Sequence, residues 1–173
     1  LQIQHIHHFL IYENLVHVRI IFQTIAFSDD DVARLAQAWP RLQSLTLLNE
    51  GSTHIPVALS SMLAFARYCP DLIYLLLSVD ATKTNIPDLS DIFTRAHERL
   101  SVLHVEESPI SSPVKVASFL TRLFPNARPQ VGFKTHMSNA AREKLWLDVL
   151  ELLPTLLDAR MTGIHGGVTM KLV

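Results

Sequence analysis

A single cysteine, Cys69, occurs among 173 residues, so no internal disulfide framework holds this chain together. That scarcity fits a reducing compartment, and cytoplasm or nucleus is the expected location. Glycine is nearly as scarce, with 5 residues, which leaves no loop able to cradle a phosphate through bare backbone amides. Nucleotide binding is therefore not expected, and no cofactor is. Long apolar runs are missing too: the strongest, residues 72–77 with Val79 just beyond, falls far short of the ~20 residues that span a membrane as a helix. Neither sign of charge is in excess. With 15 Lys+Arg against 16 Asp+Glu and no basic run, the electrostatic footprint of a nucleic-acid binder is absent. The opening residues LQIQHIHHFL lack an initiator methionine and the charged start and small-residue cleavage site of a secretion signal, as expected of a piece of a longer chain.

What is present is hydrophobic residues, 49% of the chain, arranged with a long period. An apolar residue, two others, an apolar residue, one other and an apolar residue recur as Leu15/Val18/Ile20, Leu42/Leu45/Leu47, Leu72/Leu75/Leu77 and Leu100/Leu103/Val105. A form one residue longer follows at Ala127/Val131/Phe133, and the regular form returns at Leu156/Ala159/Met161. The first positions lie 27, 30, 28, 27 and 29 residues apart. Pro40, Pro70, Pro125 and Pro154 precede the pattern at one offset, where a proline stops a helix and biases the chain toward extended structure.

Between these short strands the apolar spacing is helical. A first helix is expected from Ser28, whose hydroxyl caps free amides ahead of Asp29, Asp30 and Asp31, with Val32, Leu35, Ala36 and Trp39 as its apolar face. A second is expected from near Pro56 (Leu59, Met62, Leu63, Ala66) and a third from near Pro87 (Leu89, Ile92, Phe93, Ala96). A fourth follows Ser112-Pro113 (Val116, Phe119, Leu120, Leu123), and a fifth follows Ser138 (Trp146, Val149, Leu150, Leu153). A short strand and a short helix cannot bury both apolar faces alone, so neighbouring units must stack. The expected fold is α/β: a curved leucine-rich-repeat solenoid, with a parallel sheet on the concave face and helices on the convex face. Its units fall near 12–27, 28–55, 56–86, 87–111, 112–137 and 138–162, and residues 163–173 form a tail or a further strand in which Val168, Met170 and Leu172 alternate.

The phrases SDDDVARLAQAWPRLQSLTL and MLAFARYCPDLIYLLL, with Cys69-Pro70-Asp71-Leu72 opening a strand, resemble the repeats of F-box/leucine-rich-repeat proteins. VEESPISSPVKVASFLTRLFPN is similar to segments in the F-box-like families of mushroom-forming fungi. The resemblance covers residues 12–162 and implies the target-recognition part of a ubiquitin-ligase substrate receptor, whose partner is a protein marked for ubiquitination. No F-box pattern lies within these residues, so an adaptor would be held only by an F-box outside them. The asparagine that such repeats often carry three residues past the last strand leucine is replaced by Glu50, Asp80 and Ser108, and no regular asparagine ladder is expected. A scaffold unconnected with ubiquitin is the alternative, and a hydrolase a remote one.

Period two directs the residues between the strand leucines outward. They are His17, Arg19 and Ile21; Ser44, Thr46 and Leu48; Tyr74, Leu76 and Ser78; Val102, His104 and Glu106; Gln130, Gly132 and Lys134; and Asp158, Arg160 and Thr162. Strands in register put Arg19, Thr46, Leu76, His104 and Arg160 in one row, make Glu106 and Lys134 cross-strand neighbours, and group Tyr74, Leu76 and Leu48 as an exposed apolar centre. This face is the expected protein-binding site.

Other chemistry is weaker. His5, His7 and His8 lack companion cysteines or carboxylates, so they read as ordinary histidines and no metal is expected. His165-Gly166-Gly167 would need a G-x-S-x-G nucleophile elbow to act as an oxyanion loop, and the chain has none. Cys69 sits at a helix end where repeats bury a small side chain, and it is expected to be inert. Adjacent Glu106 and Glu107 would point to opposite faces of a strand, too far apart for paired acid–base work. Trp39, Phe65, Phe93, Phe119, Phe124 and Trp146 fall on or beside helix faces and read as core. The whole is expected not to be an enzyme.

Overall fold

The computed structural model describes residues 7–22, 27–49, 57–83, 96–106, 108–130 and 140–165. The described elements, in chain order, are strand β1 (His17–Phe22), helix α1 (Asp29–Ala38), β2 (Ser44–Asn49), β3 (Val57–Ala58), α2 (Met62–Tyr68), β4 (Tyr74–Leu77), β5 (Val79–Asp80), β6 (Val102–His104), α3 (Pro113–Leu123), β7 (Arg128–Gln130) and α4 (Ala140–His165). The protein is α/β. Its main sheet has the order β1-β2-β4-β6-β7, every pairing is parallel, and β3 and β5 form a small parallel ribbon beside it.

One device makes three of the five entries into the main sheet, those into β2, β4 and β7. Trp39, Cys69 and Phe124 close α1, α2 and α3 with nearly the same backbone angles, φ −123°, −117° and −133° with ψ 65°, 69° and 70°. A proline follows each of them and disfavours helical geometry at the residue before it. Each cap amide still donates to the carbonyl four residues back, of Leu35, Phe65 and Leu120, and each cap carbonyl then accepts from Leu42, Leu72 and Ala127. The chain next pairs with its predecessor: Val16 O accepts from Gln43 and Ser44, Gln43 O from Ile73 and Tyr74, Ile73 O from Ser101 and Val102, and Ser101 O from Arg128.

The inward strand residues Leu45, Leu75 and Leu103 are fully buried, as are Leu42, Leu72 and Leu100 just before the strands. They share one core with Val32, Leu35, Ala36 and Trp39 of the α1 region, Met62 and Phe65 of α2, and Val116, Phe119, Leu120 and Leu123 of α3. Burying each such leucine contributes about 1.5–3 kcal/mol. Helix α1 begins where expected. Ser28 accepts from Asp31 N at 3.2 Å while the Asp31 carboxylate takes Ser28 N at 3.0 Å, so two otherwise free amides are satisfied reciprocally.

Three expectations need correction. The second helix, expected from near Pro56, starts later: residues 57–58 pair with β5, Leu59–Ser61 form a 3-10 turn, and α2 begins only at Met62. The long form at Ala127 starts its strand earlier than expected, with Pro129 as the buried partner of Leu103; Val131 and Phe133 lie outside the described residues. The largest difference is at the end. Residues 156–161 are not a strand but the second half of α4, which runs through Pro154 without ending. The third helix, expected from Pro87 with Phe93 on its face, and the alternation at 168–172 lie outside the described residues.

Candidate functional site

The face of the main sheet turned away from the helices is built by register. His17, Ser44, Tyr74, Val102 and Arg128 form one row, and Arg19, Thr46, Leu76, His104 and Gln130 form a second. Four of the five residues expected in the second row are there. The fifth place belongs to Gln130 and not to Arg160, which sits on α4 and donates from Nη1 to Thr121 O at 2.8 Å, tying α4 to α3. Asp158 and Thr162 lie on the same helix. Glu106 is past the end of β6, in a turn at φ 42°, a left-handed geometry unusual for a residue with a side chain. Glu106 therefore has no strand position from which to face Lys134, which lies outside the described residues along with Glu107 and Gly132.

The apolar centre is shallower than the pattern implied. Leu76 is only 8% exposed and Ser78 is buried, whereas Tyr74, Leu48 and Val102 are half-buried and Ile21 is exposed. The Tyr74 and His104 rings lie diagonally across adjacent strands, centroids 5.3 Å apart and tilted by 44°. Arg128 escaped the sequence reading because that strand was placed further along; counting period two from buried Ala127 would have found it.

A set of buried and half-buried hydrogen bonds also escaped it. At Trp39 and Cys69 the side chain three residues before the buried leucine reaches back to a carbonyl at the end of the preceding segment. Trp39 Nε1 donates to Phe9 O at 3.1 Å, and the Cys69 thiol to Ala36 O at 3.4 Å and Trp39 O at 3.6 Å. His97, in the equivalent place, holds Nε2 at 2.9 Å from Cys69 O while its Nδ1 accepts from Leu100 N. That pair of partners puts the proton on Nε2. Burial pushes the Cys69 thiol up to about 12, so it carries no thiolate nucleophile at neutral pH. The aromatic residues assigned to the core are there: Trp39, Phe65, Phe119, Phe124 and Trp146 are all buried, and Trp146 Nε1 donates to Ser108 O at 2.8 Å.

At the positions where an asparagine ladder would stand, the polar groups do different work. Ser108 accepts from Val79 N at 2.8 Å and donates to Val105 O, bridging two neighbouring units. Asp80 instead binds the hydroxyl and amide of Thr82, which, with Lys83 nearby, lowers its carboxyl pKa below the ordinary value. His7 and His8 are exposed, and no group of three His, Cys, Asp or Glu among the described residues is placed to hold a metal ion. A groove of about 430 Å³ runs beside edge strand β1, lined by Phe9, Leu15, Val18, Ile20 and Trp39 among others. No helix among the described residues is long and apolar enough to cross a membrane. No protein-family model and no curated protein matches the chain.

Proposed function

We propose that this chain is a leucine-rich-repeat solenoid that performs no chemistry of its own and binds a protein partner through the open, concave face of its parallel sheet. We further assign it to the target-recognition part of an F-box-type ubiquitin-ligase receptor, acting in the cytoplasm or nucleus. The observation that carries the binding reading is the register: two continuous rows of outward residues, one from each of five parallel strands, make a single surface from segments far apart in sequence. Half-buried Tyr74, Leu48 and Val102 within polar and cationic neighbours have the composition of a modest protein interface. The ligase assignment rests on the CP-x-L phrase at Cys69, which here ends α2 and starts the turn into β4.

Affinity capture from cells with wild-type chain and with Tyr74→Glu tests both parts. Wild type is expected to retain a partner that Tyr74→Glu loses by at least about tenfold, since a charge placed in an apolar contact is costly to desolvate. Equal retention by the two sinks the face as the binding surface. Ligase subunits that never co-purify with any longer form of the protein sink the ubiquitin assignment and leave a scaffold.

A further inference from the structure

The open face has charge of one sign. The five strands of the main sheet contain Arg19 and Arg128 and no aspartate or glutamate, in a chain whose acidic residues outnumber its lysines and arginines by 16 to 15. Arg19 and Arg128 are exposed and make no ion pair with a described residue; the pairs Arg99–Asp71 and Lys83–Asp80 lie elsewhere. The two arginines stand on the opposite edge strands, β1 and β7, four strand spacings apart, or roughly 20 Å. Between them the surface is Thr46, Tyr74, Val102 and His104, all half-buried.

We infer that the face takes an extended acidic peptide lying across the strands, with carboxylates at both ends of an apolar middle about six residues long. An extended chain advances ~3.3 Å per residue, so about six residues reach from one arginine to the other. The terminal carboxylates meet the guanidinium groups in charge-assisted pairs, and the middle covers Tyr74 and Val102. A nucleic acid fits less well, because its phosphates recur every few ångströms and would meet no cation over the apolar centre. The inference rests on the proposed binding face and names what that face selects.

The probe is a fluorescein-labelled decapeptide with two glutamates on each side of six alternating valine and serine residues, titrated against the 173-residue chain by fluorescence anisotropy. It is expected to bind at least about tenfold more tightly than the same peptide ended in lysines, and Arg19→Glu or Arg128→Glu each to weaken it about tenfold. Lys115→Glu, on the exposed side of α3, leaves it unchanged. Arg19→Gln and Arg128→Gln give the same ranking with smaller losses, and serve if a charge reversal lowers the melting temperature. No binding, equal binding of the lysine peptide, indifference to both arginines, or an oligothymidylate that binds as well overturns the inference. A cellular partner lost on Tyr74→Glu but indifferent to both arginines leaves the face as a binding surface and removes only the acidic-peptide selectivity.

Discussion

Trp39-Pro40-Arg41-Leu42 takes the chain out of a helix and into β2, whereas Leu153-Pro154-Thr155-Leu156, with its proline at the same distance from a leucine, stays inside α4. Local spelling does not separate these two segments; what lies on either side does. After Pro40 come Ser44, Leu45 and Thr46, and Val16 O is in place to receive the arriving amides. After Pro154 and Thr155 come Leu156, Leu157, Ala159, Arg160 and Met161, strong helix formers. The buried stripe of α4, Trp146, Val149 and Leu153, also continues at helical spacing into half-buried Leu156 and Arg160, and it packs along α3. A strand there would have turned half of that stripe away from its support.

The comparison breaks most visibly in the core. Leu75→Ala, at a fully buried position of central strand β4, is expected to cost about 2–5 kcal/mol in urea denaturation, while Leu156→Ala, half-buried on α4, costs about 1 kcal/mol. Equal losses would mean that the second half of α4 is packed as deeply as the sheet.

The prolines sharpen it, because they are expected to act with opposite signs. Pro154 lies inside a helix, where a proline removes one hydrogen bond and clashes with the preceding turn, so Pro154→Ala should stabilise the protein by up to about 3 kcal/mol. Pro40 occupies a turn that suits its fixed φ, and Pro40→Ala should destabilise by up to about 1 kcal/mol through the freer unfolded chain. Thermal melts of the two variants read the signs directly. A loss from Pro154→Ala would place a strand entry there after all.

These contrasts show what was legible in the residues. The strand leucines, the capped start of α1, the face of α3 and the row from Arg19 to His104 follow from periodicities confined to one segment, and each is present. The end of α4 was not legible, since Leu156, Ala159 and Met161 fit the strand pattern while Leu153, Leu156 and Arg160 fit a helical one, and only contact with α3 decides between them. Burial of Leu76 was hidden for a similar reason. Period two gives its direction, but neighbours on both adjacent strands cover it. The backward hydrogen bonds of Trp39, Cys69 and His97 were out of reach because their acceptors are backbone carbonyls about 28 to 33 residues away.

The smallest expected effect concerns two serines that look alike in sequence. Ser28 and Ser112 each stand just before a helix, but Ser28 completes a reciprocal pair with Asp31, and Ser112 makes no side-chain cap bond. At α3 the first helical residue is Pro113, which has no amide to satisfy and arrives with a helical φ, so less is left for a cap to do. Ser28→Ala should therefore cost about 1 kcal/mol and Ser112→Ala only a few tenths, measured as the difference in urea midpoints at unchanged slope. If the two losses were equal, the hydroxyl of Ser112 would be capping α3 in solution, and the asymmetry between the starts of the two helices would reside in Asp31 and Pro113 alone.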